Sequence, residues 1–180
     1  MEMAHEFLLC TVDKFKENKL LAEKAMEQLT FDELHWAPSS ESNSIAIIVK
    51  HLSGNMIARW TDFLSSDGEK PNRKRDLEFE GGYASREELM VAWEDGWQTF
   101  FDALSKLSDE DLMKTVTIRD EPHTVLKAII RQVSHYPYHI GQIVYVAKQI
   151  KDTSWRNLSV PRGKSLEYTE TVKKENKSGQ

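Results

Sequence analysis

A single cysteine, Cys10, occurs among 180 residues. No intrachain disulfide is possible, so stability must come from a packed core, and a reducing compartment is expected. Glycine and proline are scarce, eight and five residues, too few for the closely spaced turns of a β-sandwich and favourable to long helices. No apolar run reaches the roughly 18 residues that a membrane-spanning helix needs. The opening MEMAHEFLLC has an acidic residue at position 2 and no sustained apolar stretch, so it does not read as a signal peptide. Positive charge is short as well: 24 Lys and Arg face 29 Asp and Glu, a formal net charge of −5. That balance excludes a general nucleic-acid binder, because phosphate contacts need a positive field. A cytoplasmic protein with neither membrane nor nucleic acid as partner is expected.

What is present is a folded composition, 39% hydrophobic and 29% charged, in a chain of one-domain size. Residues 1–160 read as one domain and residues 161–180 as a flexible tail, since no periodicity follows SWRNLSVPRGKS. Leu8, Val12, Phe15, Ala22, Met26 and Leu29 recur by threes and fours, which predicts an amphipathic helix over 3–29. FDELHWAPSSESNS reads as a connection. Ser44 or Asn43 then caps a second helix running to about residue 65. A polar loop of about twenty residues follows, long enough to be functional or mobile. Ser85 and Glu88 form a capping box that opens a third helix, with Leu89, Trp93, Trp97, Phe100 and Leu104 facing inward. TVTIRDEPHTV predicts a small β-hairpin, and a fourth helix covers 126–151. Four long helices in a chain of this size imply a helical bundle, an all-α fold apart from that hairpin.

Six histidines occur. His5 and His35 read as surface or packing residues and His123 as a local cap. His51 differs, because it stands mid-helix between Ile47, Ile48 and Leu52, where an unpaired imidazole is costly. His135 and His139 in SHYPYHIGQ are one helical turn apart and share a face. One histidine on the second helix and a pair on the fourth can converge inside a bundle, where facing helices build metal sites. Three neutral imidazoles leave coordination positions open, the arrangement of a catalytic site and not of a closed structural one. Pro137, between the pair, is expected to kink the helix. Gly141 is expected to admit a neighbouring helix at close range.

FDELHWAPSSESNSIAIIVKHLSGN followed by HYPYHIGQIVYVAK resembles the DinB/YfiT-like superfamily of four-helix metalloproteins. The likeness spans roughly residues 5–150, with the acidic-Leu-x-Trp-x-Pro connection, the SNSI helix start, the KHL histidine and the HxxxHxGQ signature in order. The resemblance implies an up-down-down-up bundle, a homodimer, and one divalent metal ion held by His51, His135 and His139. Some members of that superfamily transfer low-molecular-weight thiols such as bacillithiol, mycothiol or glutathione, and one branch isomerises maleylpyruvate. The segments NMIARWTDFLSSDGEKPNRKRDLEFE and SWRNLSVPRGKS look like those of a branch of unknown function.

Three imidazoles suit zinc or nickel, with iron, manganese and copper as further candidates. Such an ion can lower the pKa of a water to about 7 or favour the thiolate form of a thiol. A zinc hydrolase of the HExxH kind carries a carboxylate base between its histidines, whereas here Tyr136, Pro137 and Tyr138 intervene. That favours thiol activation, and hence a metal-dependent thiol transferase, over two alternatives: a hydrolase of a small amide or ester, and a non-catalytic, stress-related metal-binding bundle. Helical spacing places Asn55, Arg59, Gln142 and Arg131 on the side of the histidines. Asn55 and Gln142 are expected to orient a ligand imidazole or a substrate, and Arg59 to take a substrate carboxylate. Trp60, Trp93 and Trp97 read as core. The basic run NRKRD, residues 72–76, reads as a solvated loop, with a clamp for an anionic substrate as its functional alternative.

Overall fold

The spacing of apolar residues near the N-terminus produces the first long helix. In the computed structural model, which describes residues 2–178, α1 spans Glu2–Met26 and buries Phe15, Ala22, Ala25 and Met26, with Leu8 and Val12 partly buried beside them. The connection that follows is not all loop. The Thr30 hydroxyl accepts the Glu33 N–H at 3.2 Å and the Glu33 carboxylate accepts the Thr30 N–H at 2.7 Å, so a capping box starts a short helix α2 (Phe31–His35). The pattern T-x-x-E was present in the sequence; the five-residue helix it opens is too short to show periodicity.

Ser44 caps α3 (Ile45–Trp60), accepting the Ile47 N–H at 3.3 Å. Most of this helix is buried, consistent with the unbroken apolar run IAIIV and a position covered on several sides. It ends five residues earlier than its pattern suggests, where Thr61 turns extended and Asp62 takes φ +49°. Ser85 caps α4 (Arg86–Ser105) by accepting the Glu88 N–H at 3.2 Å, but the Glu88 carboxylate reaches back to the Ala84 N–H, one residue before the cap. The five residues expected to face inward from α4 are all buried. α3 lies along α4, and α1 along α5 (Val125–Lys151). The close approach of α3 to α4 depends on Gly96, since a Cβ there would stand 2.8 Å from the Ser53 Cα. Phe15, Trp60, Trp97, Phe100 and Tyr136, from four helices, meet in one aromatic core.

The hairpin forms where TVTIRDEPHTV predicts it. β1 (Thr115–Ile118) pairs antiparallel with β2 (Glu121–Thr124), and its two turn residues, Arg119 and Asp120, take φ +57° and +60°. Asp67 holds that turn: its carboxylate accepts the N–H groups of Arg119 and Asp120 at 2.9 and 3.0 Å, while the Gly68 N–H donates to the Thr117 carbonyl at 2.8 Å. Burial disfavours the Asp67 anion, but N–H groups of Asp120, Glu69 and Arg119 outweigh it and hold the carboxyl well below the usual carboxylate range. The polar loop between α3 and α4 is thereby fixed to the hairpin.

Within the segment expected as a tail, residues 165–178 form a helix, α6 (Ser165–Ser178), of largely polar sequence, with residues 165–171 and 173–175 exposed. α5 passes Pro137 as one continuous helix. Nothing among the described residues lies within 4 Å of a Cβ built at Gly141, so no helix of the described chain makes the close approach expected there. No helix among the described residues is long and apolar enough to cross a membrane.

Candidate metal centre

His51 comes from the middle of α3, and His135 and His139 from one face of α5. The structure brings the three together, with one ring nitrogen of each within 4.8 Å of the others. His51 is 5% and His139 9% exposed, and His135 is partly buried. The Nε2 atoms of His51 and His135 are 3.3 Å apart.

Each outer nitrogen has an acceptor of its own. His51 Nδ1 donates to Glu78 Oε2 at 3.0 Å, His135 Nδ1 to Gln132 Oε1 at 3.2 Å, and His139 Nδ1 to Gln142 Oε1 at 2.8 Å. With the proton on Nδ1 in all three rings, every Nε2 keeps a lone pair. Lone pairs on His51 and His135 facing across 3.3 Å repel unless a cation lies between them. Two nitrogens each about 2.0–2.1 Å from one ion, at a tetrahedral angle, stand about 3.3 Å apart. The donor set therefore fits a divalent ion. Burial pushes His135 down to about 3, with the charges of His139, His51, Arg59 and Arg131 adding to it. Burial likewise lowers His139, against the Gln142 hydrogen bond. Both shifts favour the neutral ring at His135 and His139, which is the form that binds a metal.

Glu78 was not legible as a site residue. It lies in a 3-10 turn, Arg75–Phe79, within the long polar loop. Arg73 grips it twice, Nε to Oε1 at 2.7 Å and Nη2 to Oε2 at 2.8 Å, while Oε2 also accepts from His51. Burial alone would raise the Glu78 pKa; His51 and Arg73 outweigh it and keep the group anionic. A carboxylate held this way orients a ligand histidine and raises its basicity. Replacing Glu78 by Gln should weaken metal binding by roughly 10–100-fold, read by competition with a chelator, because one amide cannot serve both Arg73 and His51. Gly54→Ala should shift affinity in the same direction, since its Cβ would come 2.6 Å from Glu78 Oε1.

The other expected site residues take different stations. Gln142 holds His139. Asn55 lines the cavity beside the histidines and accepts a hydrogen bond from the Tyr136 hydroxyl at 3.3 Å, which itself accepts from Trp60 Nε1 at 3.0 Å. Arg59 lines the same cavity and is 3% exposed. His35 is structural: its Nδ1 donates to the Phe31 carbonyl and its Nε2 accepts the Tyr83 N–H. His5 is exposed near Asp109, and His123 is buried on the hairpin.

The cavity holds about 520 Å³ and reaches His51 and His135, so the histidine cluster is open to a small molecule on that side. No Asp or Glu among the described residues lines it.

No curated protein and no solved structure matches the chain. A family model described as "Protein of unknown function (DUF1572)" matches residues 2–164. On that match, over nearly its whole described length, the chain belongs to the DUF1572 family.

Proposed function

We propose that this protein is a divalent-metal enzyme of the thiol-transferase kind, built on an up-down-down-up four-helix bundle of α1, α3, α4 and α5 and related to the DinB/YfiT-like superfamily. The observation that carries the reading is the set of three imidazoles, each with an acceptor at Nδ1 and with one ring nitrogen of each within 4.8 Å of the others, beside an open cavity. A divalent ion there, zinc or nickel first, would supply Lewis acidity that favours the thiolate form of a small thiol. The chain's own part is to fix the ligand rings, keep them uncharged, and present the second substrate from the cavity. In the transfer the thiol gives its proton to solvent water, its sulfur bonds to an electrophilic carbon, and the leaving group departs with the electron pair of the bond that breaks. The homodimer implied by the resemblance belongs to the same proposal.

Hydrolysis of an amide or ester is the second reading. It needs a free base beside the metal, and the nearest carboxylate, Glu78, is already engaged by Arg73 and His51. The non-catalytic reading needs an occluded site, and the cavity reaches two of the three ligands.

The test compares zinc-loaded protein, metal-stripped protein and His139→Ala for consumption of a small thiol by a soft electrophile, and for cleavage of an activated ester. Metal-dependent thiol consumption without ester cleavage is the expected result. Ester cleavage alone would establish the hydrolase, and neither activity with metal bound would establish a binding role.

A further inference from the structure

The cavity beside the histidines is lined by five arginines from four separate parts of the chain. Arg59 comes from α3, Arg73 and Arg75 from the polar loop, Arg119 from the hairpin tip and Arg131 from α5. In a protein of net charge −5, that concentration of positive charge is local and constructed. Its counter-charges are few. Glu78 bonds Arg73, and Glu69 bonds both Arg73 and Arg119. Arg75 stacks over Phe79 at 5.4 Å. Among the described residues Arg59, Arg75 and Arg131 have no carboxylate partner.

Arg59 is the telling one. It is 97% buried, and its Nε and Nη1 have no hydrogen-bond partner among the described residues. A guanidinium does not lose its charge at any ordinary pH, and a buried cation with unmatched donors is retained against its cost only where something is gained. Nε and Nη1 lie on opposite edges of the planar group, so an oxyanion would meet it end-on, through Nη1 and the neighbouring Nη2, the fork that pairs with a carboxylate or phosphate.

We propose that this cavity is an oxyanion site: Arg59, assisted by Arg131 and Arg119, takes a carboxylate or phosphate group of the substrate, placing the rest of that molecule against the histidine cluster. The Asp67 bonds hold the turn that carries Arg119, and Asn55 and Gln132 line the same cavity as the arginines and histidines. A cavity of about 520 Å³ fits a small molecule and not a polymer. The placement of the substrate's reacting end rests on the thiol-transferase reading; the anion site itself does not.

The test titrates inorganic phosphate and succinate separately into zinc-loaded wild type, Arg59→Met, Arg131→Gln and His139→Ala by calorimetry, with thermal stability recorded for each. Single-site binding that weakens at least tenfold in Arg59→Met, weakens in Arg131→Gln, and falls with added salt is expected. Arg59→Met should fold at least as stably as wild type, because it removes an unmatched buried charge; should it fail to fold, the exposed Arg131→Gln decides. The stronger probe tells a phosphorylated from a carboxylated substrate. Phosphate binding lost in His139→Ala but unchanged in both arginine variants would mean that the anion sits on the metal alone, and no binding of either probe would overturn the site. Anion binding without thiol activity would defeat only the transferase reading, and thiol activity without anion binding only this one.

Discussion

Replacing His139 by alanine should strip the protein of stoichiometric metal. Protein purified without an affinity metal column should carry about one divalent ion per chain by plasma mass spectrometry, and the variant should carry none, even after reloading with zinc or nickel. Loss of an outer-shell partner such as Glu78 leaves three nitrogens in place and costs roughly 10–100-fold. Loss of His139 removes one of three and leaves Gln142 without the imidazole it holds. His135→Ala should behave the same way, since its Nε2 is the one that faces His51 across 3.3 Å. Unchanged metal content in either variant would sink the assignment. The fold should survive both changes, because neither ring belongs to the aromatic core.

The largest effect on stability is expected at Trp97. Its indole is fully buried and contacts Phe15, Trp93, Phe100, Phe101 and Tyr136, with ring centroids 5.4–6.4 Å apart. Trp97→Ala would open a cavity where four helices meet, at a cost of about 3–5 kcal/mol. For a chain of this size each kcal/mol moves Tm by about 2–4 °C, so a fall of roughly 6–20 °C is expected by calorimetry. Trp97→Phe should lose well under half of that. It keeps an aromatic ring in the cluster, and the indole Nε1 it gives up has no hydrogen-bond partner among the described residues. Equal losses in the two variants would show that ring packing is not what holds this centre.

Much of the fold was legible because it follows from local rules. Apolar spacing marked α1 and the inward face of α4, Ser44 and Ser85 marked two helix starts, and the alternation in TVTIRDEPHTV marked the hairpin. The misses are short or polar elements. α2 rests on a capping box with only one turn behind it, and α6 has no apolar face to reveal a period. Gly141 was misread because a glycine records room for a backbone approach without saying whether a neighbour uses it.

By itself the sequence determined the four long helices, the hairpin, the inward-facing tryptophans, and the three histidines as residues able to hold a metal. One-turn spacing fixes His135 and His139 on a common face whatever surrounds them, and a histidine amid Ile47, Ile48 and Leu52 must face inward. Tertiary structure alone decided what those histidines meet. Glu78 and His51 are 27 positions apart, joined through a 3-10 turn whose place is set by the grip of Arg73. The arginines of the cavity come from α3, loop, hairpin and α5, and no pattern along the chain announces their convergence. Periodicity is a property of one element at a time, whereas a site is assembled from ends, turns and faces that only packing brings within reach.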